Sequence, residues 1–380
     1  MSKSQHSRGG IGIVIKIMAV SQGIRFSSQQ RSFFQTLHGR VDEYFKTNNL
    51  SKNGNGWMTV KTIAMFCLYF SPYFLIVFGV VTSVPLMLGL CVMMGFGIAG
   101  IGLAVMHDAN HGSYSSNSKV NMLIGYSLNL IGGHYLNWQL QHNTLHHTFT
   151  NIHEHDEDIE GKGLLRFSPH SPYKKIFRFQ FLYAWFFYGL LTLSWVVMKD
   201  YKQLIRYNKM GMLKARKKNF TNQFIALVAW KLFYLAYMIG IPMLVLPIAW
   251  WQILLGFVII HFTGGLILGM VFQPAHVVED LNFPLPDESG NIENDWAVHQ
   301  LYTTANFAPK ARVLSWFVGG LNYQVEHHLF PSICHQHYKH IAPIVQRTAQ
   351  EFNYPYHTHR TFRGALVSHT RMLIKFGKRP

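Results

Sequence analysis

Residues 84–111 read VPLMLGLCVMMGFGIAGIGLAVMHDANH. The stretch opens with an uncharged apolar run over 84–106 and ends on two histidines, His107 and His111. A bilayer core takes about 20 apolar residues in helical form, so 84–106 is long enough to cross one. The histidines follow at once. Positions i and i+4 share a helix face, so both imidazoles can reach one metal ion. This segment therefore predicts a membrane span and, at its end, the first ligands of a metal site.

Three further runs are long and apolar enough to span: 59–81, 224–246 and 249–272. Thr82-Ser83 joins the first pair of runs, and the region around Pro247 joins the second. Links this short make each pair a helical hairpin. Charge then sets the orientation. Residues 1–61 carry nine Lys/Arg, 107–221 carry fourteen and 273–380 carry ten, while the two hairpin tips carry none. The positive-inside rule places both termini and the central loop in the cytoplasm. The remaining basic residue, Lys231, lies inside the third run, within snorkelling reach of its cytoplasmic end.

Two shorter apolar stretches, 120–136 and 181–198, would break the parity of spans if either crossed alone. The second is rich in aromatics (Tyr183, Trp185, Tyr188, Trp195), which favour the membrane interface. Both read as interfacial or buried helices. At the N-terminus, Ser7-Arg8 precedes a weakly signal-like stretch, 11–20, but Lys16 interrupts it and no small-residue cleavage site follows. It reads as a cytosolic extension, with Met18 an alternative start. The expected fold is an all-α integral membrane protein. Four transmembrane helices in two hairpins stand under a cytosolic helical cap, 107–223 and 273–380, which holds a di-metal site. Residues 1–58 form a cytosolic N-terminal segment, and the chain 1–380 is one domain.

Composition agrees. Charged residues make up 13% and hydrophobic ones 49% of 380, against about 25% charged in a soluble domain. Disorder, a coiled coil and collagen are excluded. The net charge of +17 suits nucleic acid or an anionic membrane surface. With several spans present the membrane is the partner, and no nucleic acid is expected. Cys67, Cys91 and Cys334 make neither a disulfide framework nor a CxxC metal site. Histidine is the outlier, with 22 residues.

Beyond His107 and His111, a second cluster reads His142-Asn-Thr-Leu-His146-His147. On an α-helix His142 and His146 converge, and His147 is turned by about 100° from His146. A third reads Gln324-Val-Glu-His327-His328, and His276 stands four residues beyond the fourth run. Eight imidazoles are too many for a closed tetrahedral zinc site and suit two metals with open positions. Imidazole binds iron, copper, nickel or zinc. The membrane setting favours oxygen chemistry at iron.

The chain resembles the membrane-bound fatty acid desaturases, and within them the front-end branch, whose third box opens with Gln. The resemblance rests on His107-Asp-Ala-Asn-His111-Gly112, on Trp138-Gln-Leu-Gln-His142-Asn-Thr-Leu-His146-His147-Thr-Phe-Thr-Asn151, and on Asn322-Tyr-Gln324-Val-Glu-His327-His328-Leu-Phe-Pro331. Asp156-x-Asp158-Ile159 and the stretch with Asp295-Trp296, Gln300, Thr303-Thr304 and Asn306 also match. It implies O2-dependent desaturation of a long acyl chain, carried on coenzyme A or a lipid. It also implies two non-haem iron ions, held by His107, His111, His142, His146, His147, His276, His327 and His328. Many front-end relatives carry a fused cytochrome b5 domain with a His-Pro-Gly-Gly haem motif. This sequence has no such motif. The expectation is therefore no bound haem or flavin, and electrons from a separate cytochrome b5 or ferredoxin with its reductase.

No side-chain acid or base removes hydrogen from an unactivated methylene, so the metal carries the hard chemistry and the protein orients the ligands. Asp108, Asp156, Asp158 and Glu326 are candidates to accept from the imidazoles. Gln324 is a candidate ligand, hydrogen-bond partner or substrate contact. Trp138 and Tyr135, beside Gly132-Gly133, are candidate walls of a substrate tunnel. His261, inside the fourth run, is explained by a bond to a neighbouring helix. Competing readings are a di-iron lipid hydroxylase, which uses similar boxes, and a membrane metal transporter, which would need histidines along the spans.

Overall fold

The structure, a computed structural model, describes residues 23–379 apart from Lys162. The readings placed on residues 7–20 lie outside the described residues. Four helices are long and apolar enough to cross a membrane: Gly56–Val77, Val84–His111, Phe220–Val245 and Trp250–His276. The second and fourth pack tightly, because small residues let their backbones approach. A Cβ on Gly95 would lie 2.8 Å from the Ile260 carbonyl, and one on Gly264 would lie 2.9 Å from Ile98 Cγ2.

Both of these helices run past the apolar edge at which their spans were expected to end. The second continues through His107 to His111 and stops at Gly112, whose φ of 78° is the left-handed conformation of a helix end. The fourth continues to His276. The ligand candidates thus sit on rigid extensions of the spans.

Around the histidine-bearing ends lies the helical cap. Helix Arg31–Thr47 buries Phe33, Leu37, Val41 and Phe45, a stripe at i, i+4 spacing. The stripe packs on Val325 and Leu329 of the third box and on Ile341 and Val345 of helix Tyr338–Glu351. Burying each such side chain contributes about 1.5–3 kcal/mol, so this contact anchors the third box. Two short parallel ribbons tie distant segments together: Arg25–Phe26 with Asn291–Ile292, and Ala305–Phe307 with His357–His359.

The stretch 181–198 belongs to a bent pair, Lys175–Gly189 and Leu191–Lys209, that turns by 59°. At one end Gln180 Nε2 donates to the Leu373 carbonyl of helix Phe362–Phe376 (2.8 Å). At the other, Gln203 Nε2 donates to Gln141 Oε1 beside the second box (2.6 Å). Between them the bend leans on the fourth spanning helix, where Thr192 Oγ1 donates to the His261 carbonyl (2.8 Å). Both ends are hydrogen-bonded to segments of the cap.

This bent pair also corrects the reading of Lys231. Its ammonium does not snorkel. It is buried and donates to Asp200 Oδ2 (2.5 Å), the Gly132 carbonyl (2.6 Å) and the Trp195 carbonyl (2.9 Å). A buried ammonium is tolerated only when paired and fully bonded. Asp200 comes from the bent pair, over thirty residues away in sequence, so no local pattern announces it.

Candidate metal centre

The first box ends the second spanning helix, directly after a π-helical turn at Ile101–Val105. The second box lies in another π-helical segment, Gln139–His146. The third sits on the short helix Gln324–Leu329. All eight histidines converge. Seven are buried and His111 is half-buried.

The ring nitrogens fall into two groups. Those of His107, His111, His142 and His327 lie within 4.8 Å of one another, as do those of His146, His276 and His328. His147 stands between the groups: its Nε2 is 3.2 Å from His142 Nε2 and 2.9 Å from His327 Nε2, and its ring stacks 4.3 Å from that of His328.

The expectation that His142 and His146 converge holds in part: their rings stack 5.2 Å apart and both Nδ1 atoms approach Asp158, but only His142 joins the first histidine group. That expectation assumed α-helical spacing. In the π-helical turn the bonding is i to i+5. The wider turn sets His147 beside His142 and sends His146 to the second group, with ring centroids 4.6 Å from His276 and 4.9 Å from His328. The sequence neighbours His327 and His328 divide in the same way.

The chemistry of this donor set fits metal ions. A neutral imidazole has one N–H and one lone pair. His146 Nδ1 meets Asp156 (3.0 and 3.1 Å), His328 Nδ1 meets Gln300 Oε1 (2.9 Å), and His276 Nδ1 meets the Thr303 carbonyl (3.4 Å). Each of these oxygens can only accept, so Nδ1 carries the proton and Nε2 presents its lone pair inward. The Nε2 atoms of His111, His146, His276 and His328 are buried without a hydrogen-bond partner. Burial and the charges of neighbouring histidines hold His142, His147, His327 and His328 well below the usual histidine range, so they stay neutral. Burial also acts against charge on His146, but the Asp156 carboxylate outweighs it and raises that group. The Nε2 atoms of His107 and His142, His142 and His147, and His147 and His327 approach to 3.1, 3.2 and 2.9 Å, close enough for one cation to take the lone pairs of several rings.

Other expected site residues divide. Asp156 holds His146 and also accepts from the amides of Asn151 and Asp158. Asp158 accepts from Gln141 Nε2 and stands 3.7 Å from His146 Nδ1 and 3.9 Å from His142 Nδ1. Asp108 and Glu326 touch no box imidazole through a hydrogen bond among the described residues. Glu326 instead accepts from Asn306 Nδ2 and Tyr356 OH (2.8 Å each), and burial pushes its carboxyl up to about 7. Gln324 lies beside His276 with its Oε1 buried and unpaired. Trp138 stacks on His142 at 4.5 Å and flanks His107 and His111. Tyr135 packs away from the centre, on Tyr126. His261 accepts from Tyr234 OH (2.7 Å) and meets Thr192 Oγ1 (3.0 Å).

Several participants carried no spacing signal. Tyr338 OH lies 3.2 Å from His327 Nδ1, Trp296 Nε1 donates to the His147 carbonyl (2.9 Å), and Phe272 covers His146 and His276 at 5.1 and 4.9 Å. Trp296 and Gln300 were visible as part of a resembling stretch, but the bond of the one to His147 and the grip of the other on His328 were not.

A cap of buried imidazoles that could hold metal ions, set on four membrane-length helices, defines a membrane protein of a metal-compatible class. The family model for fatty acid desaturase matches residues 83–360, and the chain belongs to that family. It is an oxidoreductase. It is 37% identical over 363 residues to an sn-1 linoleoyl-lipid 6-desaturase of Synechocystis sp., covering 95% of this chain and 99% of that protein. A protein of the same description from Arthrospira platensis is 36% identical over 92% of this chain and 93% of its own length. An acyl-lipid (8-3)-desaturase of Physcomitrium patens is 34% identical over 92% of this chain and 72% of its own length.

Proposed function

We propose that the chain is a front-end acyl-lipid desaturase that holds two iron ions in the two histidine groups. Support comes foremost from the inward, unpartnered Nε2 lone pairs of His111, His146, His276 and His328. Iron bound there would supply the oxygen chemistry that breaks an unactivated C–H bond. The residues of the chain do the rest. Asp156, Gln300 and the Thr303 carbonyl fix the Nδ1–H tautomers and so aim the Nε2 atoms. Trp138 and Phe272, both half-buried, lie 4.5 and 6.4 Å from the His142 ring and offer apolar walls to an acyl chain. Burial of the remaining ligands keeps water out. The names of the Synechocystis and Arthrospira relatives point to a linoleoyl chain on a lipid and to carbon 6 as the site of the new bond.

Desaturation with O2 reduced to water takes two electrons from the substrate and two from outside. A separate cytochrome b5 or ferredoxin with its reductase supplies the second pair. The termini and the site face the cytoplasm, where the Lys and Arg residues concentrate.

The test is lipid profiling by mass spectrometry in a host with a competent donor, supplied with linoleate, beside His328→Ala. The expected outcome is a new double bond at carbon 6, absent in the variant, and about two irons per purified chain. A hydroxylated chain would instead make the protein a hydroxylase. Protein that binds zinc alone after iron supplementation would overturn the mechanism.

A further inference from the structure

Asp108 sits in the first box beside His107, yet its carboxylate turns away from the imidazoles. Its Oδ2 accepts from His335 Nδ1 (2.7 Å), from the His335 amide (3.2 Å) and from Cys334 Sγ (3.0 Å). The far side of the His335 ring meets Lys61: Nε2 lies 2.7 Å from Lys61 Nζ. Lys61 is in the first spanning helix, buried at 6% exposure, with its ammonium 5.4 Å from the Trp316 ring. Three segments distant in sequence therefore meet in one buried chain: Lys61 from the first span, His335 just beyond the third box, and Asp108 at the end of the second span.

We propose that Lys61, His335 and Asp108 form a positioning relay that sets the aim of His107 and His111. The inference rests on the metal reading above. An ammonium can only donate, so His335 Nε2 must accept. A carboxylate can only accept, so His335 Nδ1 must carry the proton. Only the neutral Nδ1–H tautomer satisfies both ends, and Lys61 selects it. The imidazole is then held at both nitrogens and fixes the Asp108 side chain. Asp108 lies between the two histidines of its box on a single helical turn, so fixing it fixes the rotation of that turn. The direction is defined too: the relay serves the group of His107, His111, His142 and His327, and leaves that of His146, His276 and His328 untouched.

The test uses the full-length protein, read by iron content and Mössbauer spectra, with kcat and KM alongside. His335→Leu removes both bonds and is expected to lower iron from about two to about one per chain, with one iron environment preserved. His335→Gln offers an amide oxygen to Lys61 and an amide N–H to Asp108, and should restore the second iron. Loss of iron in both variants would overturn the relay, because donor and acceptor would then not suffice. Two irons and an unaltered spectrum in His335→Leu would overturn it as well. Should His335→Leu fail to accumulate in membranes, Lys61→Met decides. It should alter one iron environment and reduce kcat with KM unchanged, and an unaltered spectrum overturns the proposal. Wild-type protein without iron would instead sink the metal reading itself, a result distinct from a relay that fails on an intact two-iron site.

Discussion

At the scale of single residues, two histidines outside the metal groups record how the cap handles buried imidazoles. His299 Nε2 donates to the Thr150 carbonyl (2.8 Å). His369 Nδ1 donates to the Val277 carbonyl (2.8 Å), and its Nε2 accepts from Tyr188 OH (2.8 Å). Both are buried, and burial pushes each down from the usual 6.5 to about 4. The unfolded chain therefore takes up protons first as pH falls. Stability from these groups is complete above pH 6.5 and is lost as pH drops towards about 4. A shift of that size corresponds to about 3 kcal/mol per group. Thermal unfolding in detergent should show a midpoint falling between pH 6.5 and 4. In His369→Gln, which keeps an N–H for Val277 and an oxygen for Tyr188 OH, the slope should become shallower than in the wild type. An unchanged slope in that variant would show that acid unfolding is driven elsewhere.

At the scale of elements, the π-helical turns at Ile101–Val105 and Gln139–His146 determine which histidine serves which group. The boxes themselves were legible, because three histidine clusters in one chain, with His276 beyond the fourth run, are hard to obtain by accident. The partition was not. A π-turn inserts one residue into the helical count without any residue type that marks it, so a reading at 3.6 residues per turn placed His142 with His146. The pairing of Lys231 with Asp200 and of Lys61 with His335 was equally hidden, since both join distant segments. The π-turn before the first box is open to test. Inserting one alanine between Met106 and His107, just past the turn, should break the register that the turn sets and rotate His107 and His111 by about 100° about the helix axis. Desaturation should fall by more than about tenfold and iron with it. Gly102→Ala, at constant length, is the control. Its Cβ would meet Leu268 Cδ2 at 3.5 Å, an ordinary contact, and activity should persist. Full activity in the insertion variant would show that the register behind the turn does not set the ligand geometry.

At the scale of the whole molecule, the argument is one of parity. Each pair of spanning helices must leave and re-enter on one side, because the first box, the second box, His276 and the third box all join one centre. The bent helix Lys175–Lys209 could have broken this, since the pair taken together is apolar and long enough for a fifth span. Its bonds to Leu373 at one end and Gln141 at the other return it to the cap. The distribution of charge then selects the side. Thirty-three of 34 Lys and Arg lie in 1–61, 107–221 and 273–380, and Lys231, the last, is neutralised by Asp200. A short epitope between Thr82 and Ser83, in the link between the first two spans, should be reached by antibody in intact spheroplasts. The same epitope after Pro380 should be reached only once the membrane is permeabilised. The reverse pattern would invert the orientation while leaving the parity argument standing. Access to both epitopes in intact cells would break the parity itself, and would require the bent helix to cross the bilayer despite its bonds to the cap at both ends.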